Sequence, residues 1–124
     1  MKKRILVIED DVTARTLLID YLVARGYAVI AASNGAEGLE LAKLVRPDLV
    51  LCDVLLPKLS GFEVCFELKR PANGGPMPVV LMSAVLGGPD ERKYAEQSLH
   101  ADAVLVKPFA MSQMLARVEQ LLAA

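Results

Sequence analysis

Five short apolar runs punctuate this chain: RILVI (4–8), YAVIAA (27–32), DLVLC (48–52), PVVLM (78–82) and AVLV (103–106). Behind the leading Arg4 and Asp48, none of them alternates apolar with polar residues. A strand that is apolar at every position must be covered on both faces, as in a parallel sheet sandwiched between helices. The stretches between the runs carry apolar residues at helical spacing. Strand and helix therefore alternate as five β–α units, which predicts an α/β fold with a parallel sheet and right-handed crossovers. In open sheets of this kind, ligands sit beyond the carboxyl ends of the strands. Four of the runs deliver polar groups to that edge: Glu9, Asp10 and Asp11 after the first, Asp53 after the third, Ser83 after the fourth and Lys107 after the fifth.

The spacing predicts a first helix over Val12 to Arg25, with Leu17, Leu18, Tyr21 and Leu22 inward and Gly26 as its stop. Residues 35–46 place Leu39, Ala42 and Leu44 at helical spacing, with Pro47 as a breaker. Ser60 caps a helix reaching Arg70, with Phe62, Cys65, Phe66 and Leu68 inward. PANGGPMP (71–78) reads as a turn-rich connection and AVLGGP (84–89) as a flexible stretch. Asp90 to Leu99 is a weaker helix, polar on most faces, and Met111 to Leu122 is the last, with Met114, Leu115, Val118 and Leu121 as its core stripe.

A length of 124 residues fits one compact domain, 1–124, and 54% apolar residues is far from a disordered composition. No apolar stretch approaches the roughly 20 residues needed to span a membrane. The start, MKKR, has the charge of a signal-peptide head, but only Ile5 to Ile8 follow before Glu9. That is short of the roughly 7–15 apolar residues a signal requires, so the basic start is a solvated lead-in to a strand. Lys2 excludes N-myristoylation. The net charge is −1 and the 14 basic residues are scattered, which argues against direct nucleic-acid binding. Cys52 and Cys65 form no C-x-x-C pair. They read as reduced, largely buried thiols, in keeping with a cytoplasmic protein.

Carboxylates crowded at one sheet edge resist ionising together unless a cation offsets them. Magnesium suits a few carboxylates, a backbone carbonyl and retained waters. Calcium would want more oxygen ligands at short regular spacing, and zinc would want His or Cys ligands, which the lone His100 and the separated cysteines do not supply. A carboxylate such as Asp53 can also act as a nucleophile toward phosphorus. Lys107 and a metal would offset charge on a transferring phosphoryl group, and Ser83 could donate a hydrogen bond to it. Each residue alone has a plain structural reading as a turn acid, a capping serine or a surface lysine. The set in this order favours phosphoryl chemistry.

These residues resemble those of a response-regulator receiver domain. The matching segments are ILVIEDD (5–11), DVLLPKLSG (53–61), LMSA (81–84) and VKPF (106–109), spread over nearly the whole chain. The resemblance implies a doubly wound, flavodoxin-like (βα)5 fold with strand order 2-1-3-4-5. It implies a magnesium site in which Asp10 and Asp53 are direct ligands, Glu9 acts mainly through water and Leu55 lends its backbone carbonyl. Asp53 would be the phosphorylated aspartate, Ser83 the hydroxyl that moves toward the phosphoryl group and Lys107 the partnering lysine, with the bond to Pro108 often cis. Pro57 and Gly61 would shape the loop, and Asp11 would cap the first helix. The implied activity is phosphoryl acceptance from the phosphohistidine of a histidine kinase or phosphotransfer protein, without turnover as an enzyme. The face made by the fourth helix, fifth strand and fifth helix would then control a downstream partner or a fused output domain, as a monomer or a phosphorylation-dependent dimer.

Four departures from the family pattern bear on that switch. Val104 stands where an aromatic residue is common, so a ring-swing readout is not available. His100 replaces a helix-stopping glycine and is expected in the left-handed conformation. Gly87-Gly88 lengthens the segment between Ser83 and Lys107. Leu55 and Val85 are both apolar and cannot orient an attacking water, which predicts a phosphorylated form lasting many minutes or longer. A phosphorylation-independent interaction scaffold is the alternative reading. A phosphatase of the haloacid dehalogenase type fits less well, because Leu55 occupies the place of its acid–base aspartate.

Overall fold

The structure of the chain, a computed structural model, describes residues 1–73, 77–84 and 89–123. Strands β1 (Arg4–Ile8), β2 (Ala28–Ala32), β3 (Leu49–Asp53), β4 (Val79–Ser83) and β5 (Ala103–Val106) form one sheet in the order β2-β1-β3-β4-β5. Every neighbouring pair is parallel. Helices α1 (Val12–Ala24), α2 (Gly35–Val45), α3 (Gly61–Leu68), α4 (Pro89–Lys93) and α5 (Met111–Ala123) link the strands. The α/β class is as the alternation of runs predicts, and the doubly wound order is the one the family resemblance implies.

The uninterrupted apolar runs find cover on both sides. Leu6, Ile8, Val50, Cys52 and Leu81 face a core completed by α2 and α3. Ile5, Val7, Leu49, Leu51 and Met82 face the opposite core, completed by Leu18 and Leu22 of α1 and Met114 and Val118 of α5. Alternate residues of a strand point to opposite faces, so each run serves two cores at once. No helix among the described residues is long and apolar enough to cross a membrane.

Three residues expected inward are exposed: Leu17, Leu44 and Phe66. In α1 the buried row is Leu18 and Leu22, and Leu17 lies about 100° away around the helix. In α2 the buried row is Gly35, Gly38 and Ala42, all small. A Cβ at Gly38 would overlap the Ile8 side chain, so α2 lies close on the sheet and Leu44 turns outward. In α3 the buried row is Gly61, Val64, Cys65 and Leu68, with Phe66 beside it.

The weak helix expected over Asp90 to Leu99 is regular only as far as Lys93. From Tyr94 to Ser98 it widens into π turns, with the Leu99 N–H donating to the Tyr94 carbonyl at 3.2 Å. Ala95 and Leu99 stay buried while the intervening polar residues remain outside. His100 follows with φ 60°, the left-handed stop expected of it. Val85 and the Gly87-Gly88 pair lie outside the described residues, as do Gly74, Gly75 and Pro76 of the turn-rich connection.

Candidate functional site

The strand order reverses direction at β1 and β3, which opens a crevice at their carboxyl ends. Register pairs Ile8 with Cys52 and Asp53 with Met82, so the residues that follow β1 and end β3 meet at the same level. Glu9 continues the ladder by donating its N–H to the Ala32 carbonyl at 3.1 Å. The chain then turns, and Asp11 caps α1 by accepting from the Ala14 N–H at 2.8 Å, the role expected of it.

The carboxylate oxygens of Glu9, Asp10 and Asp53 can all lie within 4.8 Å of one another. Glu9 is 1% exposed at its side chain and Asp53 is 9% exposed, while Asp10 faces solvent. Lys107 lies across the two buried acids. Its Nζ donates to Glu9 Oε1 at 2.8 Å and to Asp53 Oδ2 at 3.1 Å. Burial by itself would lower the Lys107 pKa, but the hydrogen bonds and negative charges of Glu9 and Asp53 together outweigh it and raise the value. The ammonium is therefore held charged across the neutral range. The Lys107–Pro108 peptide is cis, as the family pattern suggests.

The rest of the pocket is set by backbone contacts. The Leu55 N–H donates to Asp53 Oδ1 at 3.4 Å, and the Leu55 side chain is exposed. Gly61 donates its N–H to the Val54 carbonyl at 2.9 Å. A Cβ there would overlap the Asp53 carbonyl and Val54 Cα, so only glycine lets α3 start this close to the acid. The loop between them places Lys58 at φ 71°. Ser83 is buried at the end of β4, and its carbonyl accepts from the Lys107 N–H at 3.3 Å. Thus Glu9, Asp10, Asp53, Ser83, Lys107 and the backbone of Leu55 occupy the same end of the sheet.

Arg15 is a supporting residue that the sequence reading passes over. Its Nη1 donates to the carbonyls of Glu9 at 2.8 Å and Asp10 at 3.4 Å, tying the acidic turn to α1. A cation one turn into a helix, where acids are favoured, is the signal that could have marked it. The two cysteines are free and buried, as expected. Burial, followed by the charges of Cys65, Asp53 and Glu9, holds the Cys52 thiol well above its ordinary pKa, and burial pushes Cys65 up to about 11. Both are protonated packing groups rather than nucleophiles.

The donor set favours a hard divalent cation. Three carboxylates supply oxygen only, and the single charge of the Lys107 ammonium leaves them in excess. That composition fits magnesium and disfavours zinc.

The family model of the response regulator receiver domain matches residues 5–119. The chain belongs to that family, the receiver part of two-component signalling. It is 40% identical over 124 residues to the alkaline phosphatase synthesis transcriptional regulatory protein PhoP of Bacillus subtilis, covering 98% of this chain and 49% of that protein. The chain spans about half the length of the curated relatives it matches. A response regulator from Chloroflexus aurantiacus superposes with a TM-score of 0.89 at 30% identity, over 100% of both chains. The receiver domain of a sensor histidine kinase from Pseudomonas aeruginosa, solved with magnesium coordinated in its active-site cleft, superposes with a TM-score of 0.85 at 25% identity, also over 100% of both chains.

Proposed function

We propose that the chain is a phosphoryl-accepting receiver and that Asp53 is the acceptor. The observation that carries this reading is the Lys107 ammonium lying between Glu9 and Asp53 at 2.8 and 3.1 Å, within a cluster of three carboxylates. An ammonium there restrains the Asp53 carboxylate and can later follow one of the phosphoryl oxygens. In the transfer, an Asp53 oxygen forms the new P–O bond. The P–N bond of a phosphohistidine donor breaks, and the imidazole leaves with the bonding pair. The Ser83 hydroxyl donates to a phosphoryl oxygen.

Magnesium would be held by Asp10, Asp53 and the Leu55 carbonyl, with Glu9 acting through water. When bound it offsets charge between the acids and the phosphoryl oxygens. The donor is a histidine kinase or phosphotransfer protein. A recess of about 450 Å³ beside Glu9 and Lys107, walled by Leu17, Leu18 and Phe109, supplies an apolar rim on which such a donor can rest. The readout is a change in the face formed by α4, β5 and α5, passed to a separate partner or a fused output domain. The transcriptional regulators among the relatives favour an output that controls transcription.

Val104 is 9% exposed and lies in the core packed against α3 and the π turns, so the switch works without an aromatic swing at that position. Incubation with acetyl phosphate and magnesium tests the proposal. The expected result is the mass gain of one phosphoryl group, absent in Asp53→Asn. Absence of any gain in the parent chain would favour the phosphorylation-independent scaffold.

A further inference from the structure

We infer that the groove between α3 and the π turns after α4 is a docking site for an amphipathic helix whose apolar row is flanked by lysine or arginine. It lies on the α2–α3 side of the sheet and does not depend on the phosphoryl reading above. The groove has a volume of about 540 Å³. Phe62 and Phe66 of α3, Tyr94, Leu39, Leu59 and Leu99 supply its apolar lining. The Tyr94 ring meets Phe62 edge-on, with centroids 5.7 Å apart and planes at 89°. Phe66 is 53% exposed and Tyr94 is 49% exposed.

Phe66 contributes nothing to the core, whose α3 row is Gly61, Val64, Cys65 and Leu68. Two exposed aromatic rings beside a concave apolar surface are the composition of a binding patch rather than of plain solvent-facing surface. The side chains at 62 and 66 stand one helical turn apart, which is the spacing that a partner helix fills with its own i and i+4 anchors.

The charge on this groove selects the partner. Glu63 and Glu67 line it, adjacent to Phe62 and Phe66, and no basic side chain lines it among the described residues. α3 thus presents an apolar row and an acidic row side by side. Glu63 accepts from the Ser60 hydroxyl at 3.3 Å, which leaves its charge in place. Glu67 pairs with Arg70 at 3.4 Å, an exposed contact of the kind that an incoming cation can exchange for its own. A helix with acidic flanks would meet like charge on both positions.

The test uses two labelled synthetic helical peptides with leucine at i, i+3, i+4 and i+7. One carries lysine at the flanking positions and the other carries glutamate. Binding to the full chain is read by fluorescence anisotropy, and the footprint by amide chemical shifts. The lysine peptide should bind at least about tenfold tighter than the glutamate peptide, the scale of two ion pairs at a groove rim. Its shift changes should centre on Phe62, Phe66 and Tyr94. The Phe66→Ser chain, altered at an exposed ring, should weaken both peptides. Glu63→Lys/Glu67→Lys, checked for folding by circular dichroism, should invert the preference. Equal affinities, a footprint elsewhere, or a preference unmoved by charge reversal would overturn the inference. So would sedimentation showing self-association that Phe66→Ser abolishes, since a second copy would then be the occupant.

Discussion

Replacing Lys107 with methionine keeps the aliphatic stem and deletes the ammonium that two buried acids share. Nζ makes hydrogen bonds of 2.8 Å to Glu9 and 3.1 Å to Asp53. The Glu9 side chain is 1% exposed and that of Asp53 is 9% exposed, so neither can recover its hydration without rearrangement. Removing one partner of a fully buried ion pair costs about 3–5 kcal/mol. Water reaches 32% of the Lys107 side chain, which lowers the expected loss to about 2–3 kcal/mol. For a chain of this length that corresponds to a fall in Tm of roughly 10 °C. Urea unfolding followed by circular dichroism at neutral pH with EDTA present is the assay. Saturating magnesium should narrow the deficit, because the acids then gain another cation. Equal stability of the two chains in EDTA at neutral pH would refute this reasoning. A deficit insensitive to magnesium would do the same.

The same ammonium predicts an alkaline signature. Its pKa in the folded chain is raised above the ordinary 10.5, so its stabilising contribution is complete below that value and is lost as pH rises through the raised one. Lys107→Met should therefore show a flatter stability profile above pH 10.5 than the parent, by urea midpoints measured across the range. Gly61→Ala places a methyl group against the Asp53 carbonyl and Val54 Cα, which should cost about 1–3 kcal/mol in unfolding experiments and slow phosphorylation by acetyl phosphate. A polar side chain at the exposed Leu55, as in Leu55→Gln, should shorten the life of the phosphorylated chain severalfold, read as phosphate release after acetyl phosphate is removed. An unchanged lifetime would count against an unassisted water as the reason for slow hydrolysis.

The parallel sheet was legible because Leu6 to Ile8, Leu49 to Cys52 and Val79 to Met82 must be covered on both faces, and only helices on both sides do that. The site was legible for a related reason. Glu9, Asp53, Ser83 and Lys107 each follow or end a strand, and a parallel sheet brings all its carboxyl ends to one edge. Capping was readable where side-chain chemistry is local, as at Asp11 and Ser60. What escaped was long-range geometry. The close approach of α2 at Gly38 turns Leu44 outward, and helical spacing alone assigned it inward. The π turns of Tyr94–Ser98 depend on how Ala95 and Leu99 pack, and local propensity does not encode that. Arg15 reaches back six residues to the Glu9 carbonyl, a contact that no spacing rule anticipates. The groove at Phe62 and Phe66 was hidden for the same reason as Leu44, because an apolar residue near a core stripe reads as core until the helix is set in place.

The central claim is that Asp53 is where the phosphoryl group arrives. An acyl phosphate on a carboxylate can be reduced by borohydride, which converts the aspartyl side chain to that of homoserine and leaves a permanent mark. After treatment with acetyl phosphate and magnesium, peptide mass mapping should find this mark at position 53 and at no other acid. Omission of magnesium should abolish it. A mark at Asp10 or Asp11, or none anywhere in a folded chain, would rule out Asp53 as the acceptor.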